Sequence, residues 1–289
     1  MKKVVLITTG DCEQLALGDS LKRYFPGAEF ESLPRRESFT SSRVRASTSR
    51  PTGPRALPSV VDRLAQSLVA VTDPGRDGTR PDLVIAVDDV EVVNLDQIEV
   101  VVAQLREAVR RHLETFPWPK ASRRDQVTER LREHCSFHLM CPMLEAYFYG
   151  EAAALQRAGA RRPSLVDALN IDVEDFETAD EEFLSAPEGK TYWAKAHRQK
   201  HPKRYLEYLC DPEGTPESAA RYKYRETDGG AKALRTLDWA GAFSLDTRAR
   251  LARSLFADLA LALDVENPFP GTCHPLTSQP GRDAVLRNL

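Results

Sequence analysis

The chain has 289 residues, 42% of them apolar and 29% charged, with a formal net charge of −3 and an isoelectric point near 6.1. That length suits one large domain or a core domain with a smaller appendage, and the charge excludes a generic basic nucleic-acid coat while leaving room for local patches. No apolar run approaches the ~20 residues a membrane helix needs, and five cysteines without a CxxC pair predict reduced thiols in a cytoplasmic protein with no membrane contact.

Lys3 to Thr8 (KVVLIT) is apolar and β-branched, the pattern of a buried parallel strand. Gly10-Asp11-Cys12-Glu13 follows at once, so a first strand explains this start better than a signal peptide. Glu13 to Tyr24 carries Leu15, Leu17, Leu21 and Tyr24 at roughly helical spacing, and Pro26-Gly27 stops it. Ala28 to Leu33 reads as a second strand. Residues 34–58 are rich in Ser, Thr and Pro and set Arg35, Arg36, Arg43, Arg45, Arg50 and Arg55 against a single acid, Glu37. This composition predicts a long mobile loop with the charge to meet nucleic acid.

Ser59 is placed to cap a helix running to about Val71, with Asp62 in its first turn. Asp73 to Pro81 is turn chemistry. Leu83 to Val87 (LVIAV) is the clearest strand. Helices are expected over Asp96 to Thr115, ended by Phe116-Pro117-Trp118-Pro119, and over Arg123 to His134. Ser136 to Met140 reads as a strand, with Pro142 opening the next helix. The alternation implies an α/β fold with a mostly parallel, Rossmann-like sheet flanked by helices.

Beyond Gly159 the character changes. Asp172 to Glu182 is strongly acidic, and helical patterns occupy Lys203 to Leu209, Ala231 to Trp239 and Leu245 to Leu263. The expected organisation is an α/β domain over 1–158, a mainly helical extension over 159–267 and a poorly ordered tail over 268–289.

Acids cluster where strands end: Glu13 after the first, Asp88, Asp89 and Glu91 after the third, and Glu145 after the fourth. Ligands of open parallel sheets bind outside the carboxyl ends of the strands, and carboxylate oxygens suit a hard divalent cation. If the strand stays extended, Asp89 and Glu91 share one side and Asp88 faces the other. Glu145 lies in an apolar stretch, where a carboxylate needs a partner or a metal. Plainer roles stand beside each: a first-turn helix acid for Glu13, a polar strand-end turn for 88–91, a structural hydrogen bond or ion pair for Glu145. His134, Cys135, His138 and Cys141 lack zinc-site spacing, so packing roles explain them better. Lys195, His197, Arg198, Lys200, His201, Lys203 and Arg204, interleaved with Trp193 and Tyr205, form a basic segment suited to phosphates and bases, with Tyr222-Lys223-Tyr224-Arg225 a shorter one. A solvated helix face, or pairing with the acidic run, would explain the same residues. No G-x-S-x-G elbow or phosphate-binding G-x-x-x-x-G-K-[ST] loop occurs. A weaker option is a small-nucleotide site at the Thr8 to Cys12 turn.

Three segments carry a family resemblance: the strand followed by Gly10-Asp11-Cys12-Glu13, the strand followed by Asp88-Asp89-Val90-Glu91, and Pro142-Met143-Leu144-Glu145-Ala146-Tyr147-Phe148-Tyr149-Gly150. With His201-Pro202-Lys203-Arg204-Tyr205-Leu206 and Tyr222-Lys223-Tyr224-Arg225 downstream, the chain resembles stand-alone TOPRIM-like proteins of bacterial conflict gene clusters, related to the overcoming-lysogenisation-defect nucleases. The resemblance implies a nuclease or related phosphoryl-transfer effector dependent on Mg²⁺ (or Mn²⁺), acting in anti-phage defence beside an ATPase partner. It implies Glu13, Asp88, Asp89 and Glu91 as metal ligands, with Glu13, Asp89, Glu91 and Glu145 catalytic. Lys200, Lys203, Arg204 and Lys223 would then contact nucleic acid. Two departures matter. The family's first glutamate is replaced by Thr9, and Asp89-x-Glu91 stands in for Asp-x-Asp, one residue displaced. The alternative reading is a non-catalytic binding or regulatory subunit of an ATPase-containing complex.

Overall fold

Val4, Val5, Leu6 and Ile7 of the first strand, β1 (Lys2–Thr8), are all buried, so this strand is covered on both faces, as an apolar run without alternation requires. The computed structural model describes residues 1–46, 57–75, 78–167, 170–280 and 283–289. After β1 come α1 (Asp11–Lys22), β2 (Ala28–Ser32), α2 (Val60–Thr72), β3 (Leu83–Asp89), α3 (Ile98–Thr115), α4 (Ala121–His134) and β4 (Cys135–Met140). A 3₁₀ turn (Leu144–Gly150) leads to α5 (Ala152–Ala158), α6 (Glu181–Ser185), α7 (Pro202–Leu209), α8 (Pro216–Tyr222), α9 (Ala231–Arg235), α10 (Arg250–Leu263) and α11 (Pro275–Ser278). The four strands are parallel in the order β2-β1-β3-β4, with Val5 opposite Val84 and Ala86 opposite Phe137. The fold is α/β with a Rossmann-like sheet, as the alternation implies.

Local signals place the elements well. Ser59 and Asp62 form a reciprocal capping box at the start of α2, each side chain accepting the other's backbone N–H at 3.3 Å. Helices α2, α3 and α4 bury Leu64, Leu68, Val101, Leu105, Val127 and Leu131 against Val5, Ile7, Val84 and Phe137 on one sheet face. The other face, from Val4, Leu6, Ile85 and Val87, is covered by α1 and by residues from beyond 159, including Trp239 and, from α10, Phe256. Trp239 Nε1 donates to Ser20 Oγ of α1 at 3.0 Å. The helical extension is therefore the second covering layer of the sheet. It supplies apolar surface that α1 alone is too small to provide.

Two expectations need correction. The described part of the tail is packed where it was expected to be loose. Leu286 and Leu289 are buried, the Arg287 N–H donates to Cys135 O at 2.7 Å, and Asn288 bonds both backbone groups of Phe137, at 3.1 and 2.7 Å. The tail thus covers the open edge of β4, whose unpaired backbone groups would otherwise face water or another chain. Residues 34–46 of the arginine-rich loop are likewise pinned: Arg35 Nε donates to Thr9 O at 2.9 Å, Arg43 pairs with both oxygens of Asp96 at 2.8 Å, and Asn94 bonds Thr40 O and the Val44 N–H. Arg50 and Arg55 lie outside the described residues. Within the acidic run over Asp172 to Glu182, several carboxylates serve as caps. Asp180 accepts the Phe183 N–H and the Tyr205 hydroxyl, and Glu174 accepts the N–H groups of Leu251 and Ala252 at the start of α10.

Candidate functional site

The chain leaves β1 toward β2 on one side and returns to β3 on the other, so the loops after β1 and β3 part company. That is the topological switch point, where open parallel sheets bind ligands. A cavity of about 160 Å³ lies at this point, lined by Gly10, Glu13, Asp89, Glu91 and Glu145 on the strand-end side. His201, Lys203 and Arg204 of the 201–204 segment, with Glu226, close the other wall.

Each acid is held by its own device. Glu13, in the first turn of α1, folds back over Gly10, where an added Cβ would lie 2.1 Å from Glu13 Oε2. Asp89 ends β3, and its Oδ1 accepts the Leu144 N–H at 3.0 Å, fixing the 3₁₀ turn against the strand. Glu91 has φ +66° and ψ 147°, a backbone state that costs a non-glycine residue about 1–3 kcal/mol. Its N–H donates to Pro142 O at 2.7 Å and its carbonyl accepts the Asn94 N–H at 3.0 Å. The extended backbone expected through Glu91 thus stops at Asp89, and it is this left-handed turn that accompanies Glu91's place on the cavity wall beside Asp89. Glu145 Oε1 accepts the Tyr224 hydroxyl at 3.0 Å.

The charge is unbalanced. Five carboxylates line the cavity against Lys203, which pairs with Glu226, and Arg204, which is tied to Glu207 at 2.5 Å. Burial, reinforced by Glu145, pushes the Glu13 carboxyl up to about 8. Burial and Glu145 push Glu91 up to about 7. Burial and then the neighbouring Glu13 and Glu91 charges raise Asp89 well above the carboxylate range. Glu145 is raised by burial although Lys203 opposes it. Burial works against the Lys203 ammonium, but Glu145 and Glu226 outweigh it and hold the charge. His201 is held neutral, its imidazole pushed down to about 3 by burial and then by Arg204 and Lys203.

Among the expected ligands, Asp88 is not brought to the cavity. Its Oδ1 accepts from Thr9 Oγ1 at 2.5 Å, Ser38 Oγ at 3.0 Å, Thr40 Oγ1 at 3.4 Å and the Asp89 N–H at 2.9 Å. Successive strand residues face opposite sides, so Asp88 binds the 38–40 loop while Asp89 meets the cavity. The basic segment also needs correction as a base-stacking surface, because Trp193 and Tyr205 are buried in the core and Tyr224 is committed to Glu145. Lys203 and Arg204 line the cavity, Lys200 lines the groove beside it, and Lys223 stands apart over the Tyr192 ring at 5.4 Å. His138 pairs with Asp258 at 3.2 Å, His134 Nδ1 lies 2.8 Å from Asp82 O, and Cys135 and Cys141 pack in the core.

The separate roles of Glu226 and His201 are not legible in the sequence. Glu226 directly follows the Tyr222–Arg225 run and sits far along the chain from its partner, while His201 reads as one more cation until its burial is known.

No family model, curated protein or solved structure matches the chain. Among the described residues, no three His, Cys, Asp or Glu side chains are already gathered as a metal-holding group. Mg²⁺ does not require such a cage. It keeps several waters and is commonly bound by one or two carboxylates together with substrate phosphate oxygens. A polar cavity lined by carboxyl oxygens, which are hard donors, fits that cation.

Proposed function

We propose that the chain is a TOPRIM-like nuclease, or a related phosphoryl-transfer enzyme, that uses Mg²⁺ or Mn²⁺ on nucleic acid. The observation that carries this reading is the convergence of Glu13, Asp89, Glu91 and Glu145, from three successive strand ends, on one cavity at the switch point. Glu13, Asp89 and Glu91 are the residues to hold the cation. When bound, Mg²⁺ stabilises phosphate charge and lowers the pKa of a bound water. Lys203 and Arg204 offer cationic hydrogen-bond donors to a phosphate entering from the opposite wall. Glu145, inclined by burial to keep its proton and fixed through Oε1 by Tyr224, is the carboxyl placed for proton transfer. Five free cysteines fit a reducing cytoplasm. No helix among the described residues is long and apolar enough to cross a membrane. The anti-phage setting and an ATPase partner rest on the family resemblance alone.

A second reading, a non-catalytic binding or regulatory subunit, draws support from Thr9. Where the family carries its first glutamate, this chain has a hydroxyl committed to Asp88. The absence of a pre-gathered ligand group among the described residues favours it too.

The deciding assay is cleavage of a mixed DNA and RNA panel with Mg²⁺ or Mn²⁺. Under the nuclease reading, Asp89→Asn and Glu91→Gln each lose at least the ~10–100-fold that even outer-shell changes cause at metal sites. No cutting with either metal, with a partner ATPase also supplied, selects the second reading.

A further inference from the structure

Beside the acidic cavity lies a second, larger space of about 540 Å³. One wall is the 92–96 turn, with Val92, Val93 and Leu95, and the other is the 197–200 segment, with His197 and Lys200. Both walls run directly into the acidic cavity, since Val92 follows Glu91 and Lys200 precedes His201. The two spaces are thus lined by chain neighbours on both walls.

Their sizes differ in a useful way. Sites for whole small organic ligands run to about 300–1,000 Å³. The acidic cavity, at about 160 Å³, falls below that range and suits a phosphate with its cation, whereas the groove, at about 540 Å³, has room for a base and sugar. Its chemistry agrees. Val93 is 41% exposed and, with Val92 and Leu95, offers an apolar face. His197 and Lys200 are exposed opposite it. Arg43, which donates to Val93 O at 3.0 Å and pairs with Asp96, fixes the rim of the turn. Gln199 Nε2 donates to Glu177 at 2.5 Å, which ties this wall of the groove to the acidic segment. An apolar face that meets a ring, beside cations that track phosphates, is the chemistry of sequence-tolerant single-strand binding.

We infer that this groove seats an unpaired nucleotide of a nucleic-acid strand, next to the phosphate held at the acidic cavity. The inference rests on the proposed nucleic-acid reading and adds the form of the substrate: an unpaired strand rather than an intact duplex.

The test is fluorescence anisotropy of a labelled, unstructured strand of about 12 nucleotides. It is run at low salt with Ca²⁺, on wild type, Val93→Glu, Lys200→Glu, Asp89→Asn and Leu261→Glu, an exposed control outside the groove. A blunt duplex of equal length is measured alongside, and Mg²⁺-dependent cleavage is assayed separately. The expected result is binding of the strand in preference to the duplex, weakened at least about 10-fold by Val93→Glu and Lys200→Glu and unchanged in Leu261→Glu. Asp89→Asn keeps strand binding while losing cleavage. Groove variants that bind and cut like wild type would overturn the groove and leave the nuclease reading standing. Groove-dependent binding by a wild type that never cuts would uphold the groove and remove the nuclease. Tighter binding of the duplex, or no binding of either form, would overturn the inference.

Discussion

Glu13 and Gly10 occupy nearly the same space: a methyl group added at Gly10 would lie 2.1 Å from Glu13 Oε2. The backbone at Gly10, φ −102° and ψ 152°, is one that alanine adopts freely, so its lack of a side chain serves the carboxylate rather than the turn. Gly10→Ala is therefore expected to fold with little change in melting temperature, yet to displace Glu13. Mn²⁺ titration calorimetry should show at least a ~10-fold loss of affinity in this variant.

Glu91 gives a test with an inverted sign. At an ordinary site glycine is less stabilising than alanine, by roughly 0.5–1 kcal/mol. At φ +66° the order reverses, because only glycine adopts this backbone without strain. Glu91→Gly is expected to melt about 2–4 °C above Glu91→Ala, the shift that about 1 kcal/mol produces in a chain of comparable size. Both variants should lose cleavage, because both remove the Glu91 carboxylate.

Much of the frame was legible because its signals are local. The unbroken apolar runs of β1 and β3, the capping box at Ser59 and Asp62, and the strand-end positions of Glu13 and Asp89 are all fixed within a few residues. What escaped depends on distant partners. Leu286 and Leu289 read as part of a loose tail until the open edge of β4 is in place to receive them. The 38–40 loop reads as mobile until the buried Asp88 Oδ1 gathers its hydroxyls. Asp88 itself looked like a ligand because resemblance names residue types at a spacing, while the side each residue faces follows from strand alternation and from where the strand stops.

Asn288 closes the edge of β4 through both backbone groups of Phe137 and through Thr277 O at 2.9 Å. Asn288→Ala leaves these groups without their partner, at about 1–3 kcal/mol for each buried group left unsatisfied. Urea denaturation should show a lower midpoint with an unchanged slope. The uncovered edge should also make light scattering rise with protein concentration.

Glu174 provides a pH test away from the candidate metal ligands. Burial pushes its carboxyl up to about 7, against the N–H groups of Leu251 and Ala252 and the Tyr147 hydroxyl, with Asp172 adding to the rise. Cys141 also faces it, its Sγ donating to Glu174 O at 3.4 Å. A folded-state value above the unfolded one means that the native state binds the proton more tightly. The associated stability is therefore full below the unfolded value of about 4.3 and is lost as pH rises through about 7. Glu174→Gln should flatten the fall in stability across that window, measured by denaturant midpoints in metal-free buffer. A slope unchanged by the substitution would contradict this assignment.

The most direct measurement is anomalous diffraction from crystals soaked in Mn²⁺. The result expected is a peak inside the 160 Å³ cavity, within coordination distance of carboxylate oxygens from Glu13, Asp89 or Glu91, and missing in Asp89→Asn. An empty cavity at saturating Mn²⁺, with ions bound only elsewhere on the protein, would contradict the metal centre and the nuclease built on it.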